Sequence, residues 1–197
     1  MNILQNTLTD VELDKISKIK GLMTRNQYIN IYKIIKSKSP CNLLIFGLGE
    51  DSYLWNDINN KGNTIFLENI DEWAKRFNDL EVINVNYKTT VLDFPKNLNE
   101  TNLLLELPDK VTKLVWDIVL IDSPVGHNPP CVNCNLCSIN NPAPGRMSSI
   151  YTASKLINEN SIIIIDDTDR VIEKECCKYY FSHKNILYND GKLLILK

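Results

Sequence analysis

With 197 residues, 44% of them hydrophobic and 23% charged, the sequence has the size and balance of one globular domain around one core. Its 22 basic side chains nearly cancel 24 acidic ones, which excludes the broad basic face that holds a phosphate backbone by counterion release, so nucleic acid is not an expected partner. No apolar run in Met1–Lys20 is long enough for a signal peptide or membrane anchor; a cytoplasmic protein is expected, its six cysteines free thiols or metal ligands and not a disulfide framework.

From Thr9 to Ser37 apolar residues recur at helical spacing (Val11, Leu13, Ile16 and Ile19, then Ile31, Ile34 and Ile35) with a break near Gly21. The pattern predicts two short helices and a helical extension over 1–38, ahead of a domain over 39–197. From Asn42 short apolar runs alternate with helical stretches, the mark of βαβ units and a parallel sheet. Strands are predicted at Asn42–Phe46, Thr64–Leu67, Glu81–Val85, Asp117–Ile121 and Ser161–Ile165. Helices are predicted at Tyr53–Asn59, Ile70–Phe77, Arg146–Asn158 and Arg170–Tyr180. Ser123–Pro144, rich in Pro, Asn and Cys, reads as a long loop. At the end, Asn185–Tyr188 and Lys192–Leu196 flank Asn189-Asp190-Gly191, a strong hairpin turn. The expected fold is a Rossmann-like α/β sandwich with a seven-stranded, mostly parallel sheet and a C-terminal antiparallel hairpin. That is the layout of class I methyltransferases, whereas a plain dinucleotide-binding fold more often ends in a sixth parallel strand.

Gly47-Leu48-Gly49-Glu50-Asp51-Ser52 follows the first strand and opens a helix, so its glycines let the backbone approach a cofactor, or simply make a tight turn. Ser52 stands where the dinucleotide fingerprint has its third glycine, which disfavours pyrophosphate and points to a cofactor without phosphates. Glu68 ends the second strand about twenty residues beyond, where a carboxylate accepts ribose hydroxyls; capping the next helix is the alternative. Trp73 lies either in the core or against an adenine ring.

The fourth and fifth strands end in Asp122 and in Asp166-Asp167, and ligands of open α/β sheets bind at the carboxyl ends of strands. Carboxylates gathered there need a counter-charge. Either a divalent cation joins Asp122, Asp166 and Asp167, as in catechol-type O-methyltransferases, or one of them carries a proton and serves as general base. The alternative is that Asp167 and Asp169 cap the helix near Arg170.

Together these residues resemble the glucuronoxylan 4-O-methyltransferase family of polysaccharide-biosynthesis proteins. The matching stretches are Leu44-Ile45-Phe46-Gly47-Leu48-Gly49 with Asp51-Ser52 and Leu54-Trp55, then Asn59, Gly62, Thr64 and Phe66-Leu67-Glu68. They continue through Trp116-Asp117, Asp122-Ser123-Pro124, Pro144-Gly145-Arg146-Met147-Ser148 and Ile150-Tyr151-Thr152-Ala153 to Asp166 and Asp169-Arg170. The resemblance implies methyl transfer from S-adenosylmethionine to a sugar hydroxyl, with the cofactor on Gly47, Gly49, Asp51, Ser52, Glu68 and Asp122. The plant members are Golgi-anchored, whereas no anchor is expected in this chain, so the acceptor expected here is a cytosolic glycan, glycolipid or nucleotide sugar. A homo-oligomer is compatible with the composition.

The loop between Asp122 and Gly145 is longer than in the family and carries Cys131, Cys134 and Cys137. Their C-x2-C-x2-C spacing differs from that of radical iron–sulfur enzymes and suits a structural zinc, with His127, Cys176 or Cys177 as fourth ligand, or free thiols. His127 is a candidate base toward the acceptor, and His183 reads as a surface residue. Arg146 is expected to hold a sugar carboxylate, orient an acidic neighbour, or form an ordinary salt bridge. Two further readings share the glycine loop: an NAD-dependent sugar oxidoreductase or epimerase, and an inactive methyltransferase-fold scaffold.

Overall fold

A computed structural model of the chain describes residues 3–87, 100–124 and 145–197. Two helices lead in, α1 (Asp10–Ser17) and α2 (Arg25–Lys38), each opened by a capping box. In the second, the Thr24 hydroxyl accepts from Gln27 N–H at 3.3 Å while the Gln27 amide oxygen accepts from Thr24 N–H at 2.7 Å, so two otherwise orphaned helix donors are satisfied.

The sheet is built from β1 (Asn42–Phe46), β2 (Asn63–Glu68), β3 (Val82–Asn84), β4 (Ile118–Ile121), β5 (Ile162–Ile165), β6 (Ile186–Asn189) and β7 (Leu194–Leu196). Its order is β3-β2-β1-β4-β5-β7-β6, with β1 to β5 parallel and β7 antiparallel to both neighbours. Between strands run α3 (Ser52–Ile58), α4 (Asp71–Arg76), α5 (Asp109–Thr112), α6 (Met147–Leu156) and α7 (Val171–Phe181). Every predicted strand forms to within a residue or two. The short α5 has no counterpart in the sequence reading, because four residues are too few to establish a helical period.

The central strands read as unbroken apolar runs because both of their faces are covered. Leu44, Phe46, Val119, Ile121, Ile163 and Ile165 pack toward α6 and α7. Their neighbours Leu43, Ile45, Ile118, Leu120, Ile162 and Ile164 face α1, α2 and α3 on the other side. The extension over 10–38 is thus part of the same fold: Tyr28, Ile31, Ile34 and Ile35 complete the second core.

Two buried polar groups tie elements together at the end of the sheet remote from the strand carboxyl termini. The Asn59 side chain accepts from Cys41 N–H at 3.0 Å and donates to the Cys41 carbonyl at 2.9 Å and to the Thr64 hydroxyl at 3.0 Å. Gly62 must be bare there, since a Cβ would lie 2.3 Å from the Asn59 amide oxygen. Asn59, Gly62 and Thr64 therefore form a structural latch joining β1, α3 and β2. Lys184 is the second tie: its ammonium donates to the carbonyls of Asn158, Glu159 and Ser161 at 2.8, 3.0 and 3.1 Å.

Candidate functional site

The carboxyl ends of β1, β2, β4 and β5 share one edge, where most of the singled-out residues meet. Gly47 has φ +111, and a Cβ on it would come 2.8 Å from Ser123 Cβ, so glycine is required because the loop after β4 packs directly on the loop after β1. Gly49 N–H donates to the Ser52 hydroxyl at 2.9 Å and Ser52 N–H donates back to the Gly49 carbonyl at 3.0 Å. Ser52 closes the turn with its own side chain, where a third glycine would have left it open.

Glu68 is buried at the end of β2. One of its carboxylate oxygens accepts from Leu48 N–H at 2.9 Å, the other from Asn69 and Ile70 N–H at 2.7 and 2.8 Å. A carboxylate has about four acceptor positions, so the one left is on the oxygen beside the glycine loop. Asp51 is buried within that loop, and burial pushes its carboxyl up to about 6. Trp73 is half-buried and stacks on Phe77 at 6.0 Å with the Arg76 guanidinium over its ring.

Arg146 is the hub of the opposite side. Its side chain is 5% exposed and its NH2 lies 2.9 Å from Asp122 Oδ1 and 2.6 Å from Asp167 Oδ2, with NH1 3.6 Å from Asp166 Oδ2. The local sequence explains the placement: Gly145 supplies a left-handed φ of +66, and Arg146 N–H donates to Glu173 Oε1 at 3.3 Å, so an acid from α7 caps the first turn of α6. Asp167 also has a positive φ, +61, which turns its carboxylate toward Arg170 NH2 at 2.7 Å and Lys192 Nζ at 3.5 Å. Neither Asp167 nor Asp169 caps α7 through its side chain, so the capping alternative does not hold.

Of the roles weighed for Arg146, this geometry gives it the acidic neighbours: its guanidinium is enclosed by the protein's own carboxylates. The oxygens of Asp122, Asp166 and Asp167 do lie within 4.8 Å of one another, the grouping expected for a divalent cation. Their counter-charge, however, is the Arg146 guanidinium. With it in place the set does not fit a metal ion, which would sit against a fixed positive charge.

Four acids of this cluster, Asp122, Asp166, Asp167 and Glu173, face three bases, Arg146, Arg170 and Lys192. One proton is therefore retained easily. Desolvation by the groups packed around it pushes Asp122 up to about 8, partly exposed though its side chain is, with Arg146 opposing and Asp166 and Asp51 adding to the rise; burial raises Asp166 as well. Asp122 is the reachable member, its side chain 36% exposed against 6% for Asp166. Asp166 Oδ1, together with Arg146 Nε and NH1, is buried without a hydrogen-bond partner.

His127, Cys131, Cys134 and Cys137 lie outside the described residues. Cys176 and Cys177, considered as a fourth zinc ligand, are instead core residues of α7, and burial pushes the Cys177 thiol up to about 12, the protonated state that disfavours a metal. His183 is exposed, as expected. Two tyrosines join the site without having been singled out. Tyr28 of α2 stacks on Trp55 at 6.0 Å, and its hydroxyl, raised by burial and then by Asp51 and Asp122, lies against Gly21. The hydroxyl of half-buried Tyr87 lies 3.1 Å from that of Ser149, which donates to the Ser123 carbonyl at 2.6 Å. Tyrosines at helical or loop positions carry no signal that separates such a role from core packing.

A family model described as IRX15/IRX15L/GXM matches residues 27–103 and 99–195. Glucuronoxylan 4-O-methyltransferase 2 of Arabidopsis thaliana is 32% identical over 199 residues, covering 87% of this chain and 64% of that protein. Arabinogalactan O-methyltransferase 2 of the same plant is 27% identical over 190 residues, covering 81% and 61%. The chain thus spans less than two thirds of the length of these relatives. Among solved structures, a Staphylococcus aureus protein provisionally assigned as a caffeoyl-CoA O-methyltransferase is similar with a TM-score of 0.52 at 14% identity, over 98% of this chain and 92% of that one. Strand order and this similarity establish the class I methyltransferase fold.

Proposed function

The chain belongs to the IRX15/IRX15L/GXM family, and from that membership and its acid-lined sheet edge we propose an S-adenosylmethionine-dependent O-methyltransferase acting on a sugar hydroxyl of a glycan. The observation that carries the reading is electrostatic. Asp51 is buried in the glycine loop that Glu68 faces, Asp122 and Asp166 follow the neighbouring strands β4 and β5, and Arg146 is enclosed by Asp122, Asp166 and Asp167. Such a site suits a ligand with a sulfonium and an ammonium group. It repels a pyrophosphate, which counts against the NAD-dependent reading.

When bound, S-adenosylmethionine supplies an electrophilic methyl whose C–S bond breaks as the acceptor oxygen forms its new bond, sulfur leaving as a neutral thioether. The chain's part is alignment and proton acceptance. The loop of Gly47–Ser52 and the free acceptor position of Glu68 hold the cofactor, and Asp122, the reachable carboxylate, takes the hydroxyl proton. Arg146 fixes Asp122 and stabilises its ionised form, while buried Asp166 completes the charge balance. Alignment of the two reactants accounts for most of the rate, on the order of 7–11 kcal/mol in favourable cases. The relatives named for glucuronoxylan and arabinogalactan support a polysaccharide acceptor. A cytosolic location belongs to the same proposal and is checked by cell fractionation.

Calorimetric titration with S-adenosylmethionine and, separately, NAD, each with and without EDTA, tests the reading. Binding of S-adenosylmethionine alone supports it, and methyl transfer to glucuronoxylan or arabinogalactan oligosaccharides then identifies the acceptor. Binding of NAD alone overturns it, and silence from both favours the scaffold.

A further inference from the structure

A groove of about 340 Å³ runs from the reactive edge down the side of the molecule, between α7 and the β6–β7 hairpin. Its upper end is Thr168, Asp169 and Gly191. Its upper end adjoins the acid cluster: Thr168 follows Asp167 in the chain, its N–H and hydroxyl both donate to the Lys192 carbonyl, at 2.8 and 2.9 Å, and the Lys192 ammonium pairs with Asp167. Farther down, Ile186 and Leu194 give it an apolar wall, with Ile186 64% exposed. Lys174 and Lys178, one helical turn apart on α7, stand on its rim, both exposed, Lys178 beside Glu175 at 2.7 Å. Lys184 also lines it, but its ammonium is committed to the three carbonyls already described.

We propose that this groove holds the glycan chain beyond the methylated sugar, and that it takes an acidic oligosaccharide. The inference rests on the proposed O-methyltransferase reading. A polymeric acceptor needs a track leading away from the reacting hydroxyl, and this groove starts one residue beyond Asp167. Pyranose rings offer an apolar face to Ile186 and Leu194 and hydroxyls to Asn189. Charge is graded along the track: Asp169 at the upper end favours neutral sugars, while Lys174 and Lys178 below attract a further uronate substituent.

The test uses the full chain and the double variant Lys174→Glu/Lys178→Glu, with glucuronoxylan oligosaccharides of graded length and neutral xylan oligosaccharides as probes. Two exposed charge contacts reversed at once are expected to raise the ratio of KM for long over short acidic acceptors about tenfold, an effect that shrinks with added salt. Affinity for S-adenosylmethionine and the melting temperature serve as controls, and Lys75→Glu on the remote α4 is expected to leave the ratio alone. If long and short acceptors shift together, or neither shifts, the groove is not the track. Direct binding of the long acidic oligosaccharide, measured by calorimetry, separates the two claims. Binding lost in the double variant without methyl transfer by the native chain would keep the groove and sink the O-methyltransferase reading; no binding by the native chain would sink the groove.

Discussion

Asp122 combines partial exposure, a raised proton affinity and a fixed arginine, so it carries the sharpest expectations. Asp122→Asn is expected to leave S-adenosylmethionine affinity within a few-fold while lowering turnover by about 10²-fold or more, measured by calorimetry and a methyl-transfer assay. In the native chain, turnover should rise with pH toward the ionisation of Asp122 at about 8, and that limb should vanish in the variant. Stability runs the other way. A carboxyl whose folded-state value lies above its unfolded value favours the folded state fully below about pH 4 and loses that contribution as pH rises through its folded value. The urea midpoint of the native chain should therefore fall between pH 5 and 9, and fall less in Asp122→Asn. Removing the counter-charge is more severe: Arg146→Met strands Asp122 and Asp166, while Asp167 keeps Arg170 and Lys192, and is expected to cost about 3–5 kcal/mol at pH 8, recovering as acid protonates the two carboxylates. The acids themselves were legible, because each ends an apolar run. Arg146 beside an acid was among the readings, but which acids it holds was not legible, since it reaches Asp122 across 24 residues of chain and Asp167 across a helix start, contacts that exist only once β4, β5 and α6 are assembled.

At the scale of elements, the run Asn59, Gly62 and Thr64 earns a structural role and no chemical one. Asn59→Ala would leave the Cys41 N–H and carbonyl and the Thr64 hydroxyl short of a partner, a loss of about 2–3 kcal/mol in denaturant unfolding with cofactor affinity unchanged. The strands β1, β4 and β5 were readable to within a residue because burial on both faces leaves no polar position to blur their ends. β3 shrank from five predicted residues to three, since it lies at the edge of the sheet with half-exposed side chains and a weaker pattern. The glycine loop was read correctly in place, but half of the reason for Gly47 is Ser123, which the sequence puts 76 residues away.

For the whole molecule, spatial order and chain order part company at one edge. β6 comes first in the chain yet lies outermost, and β7, made afterwards, slides between it and β5. During synthesis, then, the isoleucines of β5 and the exposed Ile186–Leu187 pair of β6 emerge as two unpaired borders that wait for the same three residues, Leu194–Leu196. Deleting Leu194–Lys197 should consequently not trim the sheet but split it, giving insoluble protein where removal of a true border strand would give a folded one; the soluble fraction after expression reads the difference. A nascent chain caught before that point carries its own adhesive seam, and the window in which a holding chaperone matters closes only when β7 is inserted.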